Sequence, residues 1–477
     1  MSTLFSALDV HASDIVAFVG AGGKTSAMFR LAGELAAAGR GVVVTTTTHI
    51  REPIVTQAAV IVLERDESAM LEQLPPLVQR YGLVALGSGL TKPAPGEVYR
   101  KLEGVAPTTV GRIAQLSGVD HVLVEADGAK GRSLKAPAAH EPVVPEATTL
   151  LVPVAAVDAI ERRLDDRVAH RPELVERLTG LPQGAAITPG AVAAVLCHPQ
   201  GGLKGRPLGA RVVPLINKAE SSDDLARALE VASILLQDDK IDRVVIGAVA
   251  RPEGPLQVVV RPPARLPRES GRTAKVVAVV LTAGASRRFG SPKQLLPVGG
   301  LPMLTKVTDA VLASSVDETI VVLGSRAEEV RQVLAGRPVR IVLNPDWQEG
   351  LASSIRAGLA AIPVDADAAL FVLADAIRLT SSEVDAVIWG YRPSAAEHAS
   401  GDRPTAEQPL IVAPAHGGKR GNPVLFDRAF FGELASLHGD EGGRRLLERH
   451  ASSVRIVEVP TDGVVADVDR PADVPGL

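Results

Sequence analysis

Twice in this chain a run of β-branched and apolar residues ends in a glycine-containing turn that carries positive charge, and this arrangement narrows the folds open to it. The first run, Ile15-Val16-Ala17-Phe18-Val19, leads into Gly20-Ala21-Gly22-Gly23-Lys24-Thr25. The second, Val276-Val277-Ala278-Val279-Val280, leads into residues 281–297, LTAGASRRFGSPKQLLP. A strand entering such a turn brings backbone N–H groups and cations to one place, which suits a nucleotide triphosphate. In the second turn Arg287, Arg288 and Lys293 supply the charge, and Gly284 and Gly290 permit close backbone approach or positive φ.

Both halves alternate strand and helix patterns. After the first turn a helix is expected over 25–38, then a strand at Val42-Val43-Val44-Thr45, which makes a βαβ unit. Further continuous apolar runs at 59–63, 83–86, 121–125, 149–154, 212–216 and 243–248 fit a parallel sheet buried on both faces. Residues 261–275, RPPARLPRESGRTAK, hold three prolines and no apolar period, and read as a linker. Alternation then restarts, with strands at 276–281, 318–323, 339–343 and 369–373 and helices near 303–314, 327–334 and 353–361. The polar stretch 392–408 reads as a mobile loop within the second half. The expectation is an α/β protein with domains over 1–260 and 276–477.

A length of 477 residues exceeds one ordinary core, and 46% hydrophobic with 22% charged residues is a globular composition. With aromatics at 3%, the cores must be aliphatic. A net charge of −4 exerts no general pull on nucleic acid or an anionic membrane. The single cysteine, Cys197, excludes intrachain disulfides and cysteine-clustered metal sites and suits a reducing cytoplasm. No apolar run approaches the roughly 20 residues that span a bilayer. The opening MSTLFSALDVHASD lacks the basic and apolar regions of a signal peptide.

In the first turn the amides around Gly20, Gly22 and Gly23 would surround phosphates, Lys24 would balance their charge and the Thr25 hydroxyl could bind Mg²⁺. ATP or GTP would be the nucleotide. The usual Walker spacing asks for glycine at position 18, where this chain has Phe18. A glycine-rich turn with an incidental lysine is the plainer alternative. Thr45-Thr46-Thr47-Thr48 lies at the second strand's end, where ligands sit in open α/β sheets, and four successive hydroxyls exceed what burial needs. Glu125 and Asp127 close another strand in the position of Walker-B-type carboxylates, or they are a strand-end turn beside the charge run Lys130, Arg132 and Lys135.

The segments GAGGKTSAM, VVVTTTTHI, VEADGAKGRSLKAPAAHEPVVP and Leu215-Ile216-Asn217-Lys218 resemble the YqeC family, accessory proteins of selenium-dependent molybdenum hydroxylases. The likeness spans about 13–246 and implies a hydroxylase apoenzyme as partner. Asn217-Lys218 also resembles a guanine-reading motif, but the acidic residue does not fall at the right spacing, so no base preference is assigned.

Residues 281–304, LTAGASRRFGSPKQLLPVGGLPML, closely resemble the opening of the MobA/MocA-type nucleotidyltransferases, which have a Rossmann-like fold. The likeness covers 276–474. It extends to NPDWQEGLASSI from Asn344, Leu373-Ala374-Asp375, GNPVLF from Gly421 and Asp467-Val468-Asp469-Arg470-Pro471. Ala283, in Thr282-Ala283-Gly284, resembles the cytidylyl branch, the molybdenum cofactor cytidylyltransferases. That implies CTP as substrate, molybdenum cofactor as acceptor and pyrophosphate as product. Such a transfer asks chiefly for alignment and charge balance. Arg287 and Lys293 would contact the triphosphate, with Thr282, Ala283, Gly284, Arg288 and Gly290 lining the nucleotide. Asp375 and Asp469 would hold Mg²⁺, which prefers carboxylate oxygen. Asn344, Trp347, Gly350, Ser353, Ser354, Gly421 and Asn422 would shape the acceptor side.

Plainer roles stand beside these: a helix cap for Asp375, a turn for Asp469, core packing for Trp347. The chain departs from the family pattern at Ala376-Ile377, where a proline usually follows the metal aspartate, and at Asn422, where histidine is common. Two other readings therefore stay open: a cofactor carrier or insertion chaperone with a decayed transferase site, and transfer to another phosphate acceptor.

Overall fold

The computed structural model describes residues 3–93, 99–251, 253–263, 274–284, 292–391 and 409–466. Arg287, Arg288, Gly290, Asp469, the stretch 392–408 and most of the expected linker lie outside them. The chain forms two compact units, Met1–Val258 and Val259–Leu477.

The first unit opens as the pattern predicts, with β1 (Ile15–Gly20), α1 (Lys24–Ala37) and β2 (Val42–Thr46). Its sheet adds β3 (Ile61–Leu63), β4 (Leu83–Gly87), β5 (His121–Glu125), β6 (Leu150–Ala156), β7 (Arg211–Val212), β8 (Leu215–Asn217) and β9 (Arg243–Gly247). All pair in parallel, in the order β3–β4–β2–β5–β1–β6, then β7 and β8 in succession along β6, then β9 on β8. Every residue of β2, β5 and β6 is buried, as a sheet covered on both faces requires. The strand expected over 212–216 is two strands, because Pro214 has no N–H for the ladder. Phe18 is fully buried in the aliphatic core around β1, which explains why a glycine would not serve there.

The second unit contains β10 (Val276–Leu281), α2 (Met303–Leu312), β11 (Glu318–Leu323), β12 (Arg340–Leu343), α3 (Leu351–Ala361) and β13 (Ala368–Leu373). β14 (Ile411–His416), β15 (Lys419–Arg420), β16 (Val424–Asp427), α4 (Arg444–Arg449) and β17 (Val454–Glu458) follow. The strand order is β12–β11–β10–β13–β16–β14–β17, parallel except that β16 runs against both neighbours. α3 lies close on the sheet at Gly358, where a Cβ would come within 2.5 Å of Val279 Cγ1. No described helix is long and apolar enough to cross a membrane.

Phe18→Ala should destabilise the first unit by about 3–5 kcal/mol, since the void opens in a core with few other large side chains. Urea denaturation of the full chain, followed by circular dichroism, would read this as an earlier first transition.

Candidate functional site

In the first unit β1 ends at Gly20 and α1 begins at Lys24, so the glycine turn faces the C-terminal edge of the sheet. Gly23 caps α1 with φ 123°, a conformation few side chains tolerate, and a Cβ there would lie 2.2 Å from Asn217 Nδ2. Asn217 is buried, donates to Gly22 O at 2.7 Å and accepts from Val249 N at 3.0 Å, so it clasps the turn from β8. Lys218 instead meets Asp158 at 2.8 Å.

Lys24 is 4% exposed. Its ammonium donates to Gly20 O at 2.7 Å and lies 3.2 Å from Asp127 Oδ1 and 3.6 Å from Glu125 Oε1. Burial opposes its charge, but Asp127 and Glu125 hold it above the usual lysine range. Burial likewise pushes the Glu125 carboxyl up, against the pull of Lys24. The Thr25 hydroxyl donates to Glu125 Oε2 at 2.6 Å. Asp127 Oδ2 accepts from Gly20 N at 3.3 Å and pairs with Lys135 at 2.8 Å. Lys135, fully buried, also pairs with Glu141 at 2.8 Å, and Arg171 meets Glu141 at 2.7 Å. Glu125, Lys24, Asp127, Lys135, Glu141 and Arg171 thus form a chain of alternating charge.

The threonine run proves largely structural. Thr45, Thr46 and Thr47 hydroxyls donate to the carbonyls of Leu86, Glu125 and Val143 at 2.9, 2.7 and 2.6 Å, tying β2 to its surroundings.

In the second unit the register Leu281↔Leu373 sets the ends of β10 and β13 side by side, bringing Thr282–Gly284 to the same edge as Asp375. Lys293 donates to Asp375 Oδ2 at 2.5 Å, while Asp375 Oδ1 is buried without a hydrogen-bond partner among the described residues. Gln294, which the sequence did not single out, is buried and donates to both Thr282 O (2.8 Å) and Gly284 O (2.9 Å). Adjacent residues Lys293 and Gln294 therefore hold the carboxylate and the turn. A Cβ on Gly284 would meet none of the described residues within 4 Å, so they leave the backbone there open. At Gly324 a Cβ would fall 2.6 Å from Trp347 Cβ and 2.7 Å from Ala283 Cβ, which puts Trp347 against the turn.

Asn344 donates to the hydroxyls of Ser353 and Ser354 at 2.9 and 3.1 Å, and its Oδ1 accepts from Asp346 N at 3.0 Å. All three side chains are buried, so they shape the segment from within. Gly350 enters α3 with φ 102°, pressed against Gly439 and Asp440. Gly421 N donates to Pro414 O at 2.9 Å and Asn422 N to Val464 O at 2.8 Å. Ala376 and Ile377 are buried, and Ile377 packs with Val298 and Met303. Among the described residues no group of three or more His, Cys, Asp or Glu could hold a metal ion. Asp375 Oδ1, a buried carboxylate oxygen with no partner among the described residues, does suit one coordination position of a hard cation.

Residues 16–173 match the family described as YqeC protein, and residues 278–454 match the MobA-like NTP transferase domain. The protein YqeC of Escherichia coli (strain K12) is 32% identical over 235 residues, 49% of this chain and 87% of that protein. Nicotine blue oxidoreductase of Paenarthrobacter nicotinovorans is 31% identical over 196 residues, 41% of this chain and 92% of that one. Molybdenum cofactor cytidylyltransferase of E. coli (strain K12) is 26% identical over 199 residues, 41% of this chain and 91% of that one.

The charge chain of the first unit has a pH signature. Burial, then Arg171 and Lys135, lower His170 to about 4. Burial works to raise Glu141, but hydrogen bonds from Arg171 and Lys135 bring it to about 2. Both groups bind protons more weakly folded than unfolded. Their stabilisation is therefore complete above the unfolded values of 6.5 and 4.5, and is lost as pH falls toward about 4 and about 2. Histidine Cε1–H NMR resonances should show His170 titrating near 4, and Lys135→Met should move its midpoint up.

Proposed function

The chain belongs to the YqeC family and joins to it a MobA-like NTP transferase domain, and from that premise we propose that the second unit transfers a cytidylyl group from CTP to the phosphate of molybdenum cofactor, in the maturation of molybdenum hydroxylases. The observation that carries this is the meeting of Lys293 and Asp375, 2.5 Å apart, beside the Thr282–Gly284 turn that Gln294 clamps. One relative is named for the same reaction, and Ala283 agrees with the cytidylyl branch.

In this reading a phosphate oxygen of the acceptor attacks the α-phosphorus of CTP. The bond to the bridging oxygen breaks, and pyrophosphate leaves with the electron pair. Lys293 exchanges Asp375 for the triphosphate, joined by Arg287 and Arg288. The open backbone at Gly284 lets the nucleotide approach, with Thr282, Ala283 and Gly290 around it. The Asn344 segment, with Trp347, Gly350, Ser353 and Ser354, forms one wall for the acceptor, and Gly421 and Asn422 form another. Asp375 would hold a divalent cation through Oδ1, Mg²⁺ by its preference for hard oxygen, with Asp469 as a second ligand. When bound, that cation balances the charge of the departing pyrophosphate. The first unit takes ATP or GTP at Gly20, Gly22, Gly23, Lys24 and Thr25, with Glu125 and Asp127 beside the phosphates. The setting is the cytoplasm, with a hydroxylase apoenzyme as recipient.

A second reading, a cofactor carrier without transfer, is favoured by the buried Ala376-Ile377 pair in place of the family's proline. The relative named as an oxidoreductase agrees that the family's fold does not by itself impose transfer.

Pyrophosphate release from the full chain with molybdenum cofactor, a divalent cation and each of four nucleoside triphosphates decides between them. CTP should support turnover, and no turnover with any nucleotide would sink the transferase reading. Lys293→Ala and Asp375→Asn should each lower turnover by roughly 100-fold or more, as expected where charge balance dominates. Lys24→Ala should spare it if the two units act independently.

A further inference from the structure

Among the described residues of the second unit, Arg420 has no hydrogen-bonding counter-ion. The other described arginines from Arg326 onward each meet a carboxylate or a backbone carbonyl, as Arg356 meets Glu349 at 2.7 Å and Arg378 meets Asp462 at 2.7 Å. Arg420 is half-buried, yet it makes no hydrogen bond or ion pair among the described residues. Burial works against its charge. The Glu448 carboxylate favours it and the Arg444 guanidinium opposes it. Glu448 is already engaged, by Arg444 Nε at 3.2 Å. A guanidinium partly removed from water, with no hydrogen-bonding counter-ion among the described residues, is left short of its hydrogen bonds, and an incoming anion would restore them.

Its position says which anion. Arg420 ends β15, opposite Ala415, directly before Gly421 and Asn422. β16 begins at Val424, which pairs with Phe371 of antiparallel β13. β14 runs against β16 and so parallel to β13, which puts Ala415, next to last in β14, toward the same end of the sheet as Leu373. Arg420 therefore belongs to the sheet edge that carries Asp375 and the Thr282–Gly284 turn. The backbone around it is fixed, because a Cβ on Gly421 would lie 1.9 Å from Val464 O. Lys293 sits on the nucleotide side, 2.5 Å from Asp375. Arg420 lies with the acceptor wall instead.

We propose that Arg420 anchors the phosphomonoester group of the acceptor. Its planar fork holds two phosphate oxygens and leaves the third to attack. This rests on the nucleotidyl-transfer reading for its substrate, but not for its anion.

Two measurements on the full chain test it. In turnover with CTP and molybdenum cofactor, Arg420→Met should raise the acceptor KM by about 10- to 100-fold, the range for hydrogen bonds to a charged group, with the CTP KM unchanged. Arg420→Lys should recover part of the loss, and a thermal melt would check that both variants fold. An unchanged acceptor KM in a wild-type enzyme that turns over overturns the anchor and leaves the transfer reading standing. The second measurement needs no turnover. The Nε–H resonance of Arg420, assigned by its absence in Arg420→Lys, should shift on titration with inorganic phosphate and not with chloride. A resonance that stays put overturns the anion site, whereas a shift without turnover upholds the site and counts against the transferase.

Discussion

A strand buried on both faces can carry polar side chains only at its ends, and this constraint organises both units. From Ile15 to Val19, β1 is at most 6% exposed, and Val276–Val280 of β10 is fully buried. Because the strands of the first sheet are parallel, their C-terminal ends share one edge. Lys24, Glu125, Asp127 and Asn217 gather there from three stretches of chain far apart in sequence. The same rule collects Thr282, Asn344 and Asp375 in the second unit, and antiparallel β16 returns Asn422 to that edge.

The two edges differ in how firmly their lysines are held. The Lys24 side chain is 3% exposed, against carboxylates at 7% and 2%. Removing one member of so dry a cluster leaves a buried charge uncompensated. Lys293 and Asp375 are 24% and 16% exposed, so water screens their attraction and release is easier. A phosphate entering the first site must compete with two carboxylates and with the chain of charge through Lys135, Glu141 and Arg171. At the second it competes with one carboxylate, which keeps an oxygen unpartnered among the described residues.

Polar groups that look functional in a sequence can be spent on the scaffold. Thr45, Thr46 and Thr47 bind backbone carbonyls, and Asn217 clasps Gly22 rather than reading a base. Asn344, Ser353 and Ser354 satisfy one another. Gln294 shows the reverse: an unremarked residue beside Lys293 holds the turn, because only the fold brings its amide to two carbonyls ten and twelve residues away in sequence.

Strand and helix placement was legible in the sequence because burial on both faces writes itself as unbroken apolar runs. The first glycine turn was legible because its positive φ values and close backbone approaches exclude most side chains, and the second because its motif follows an unbroken apolar run. The division of the chain into an α/β unit of each kind followed from those patterns and from the family motifs. Which charges meet is a different matter. The Lys24–Glu125–Asp127 cluster, the Lys293–Asp375 pair and the half-buried guanidinium of Arg420 depend on strand order and register, which set distances across many tens of residues. A linear pattern carries no record of that order, so only the tertiary structure could decide which polar groups hold the fold and which are left for a ligand.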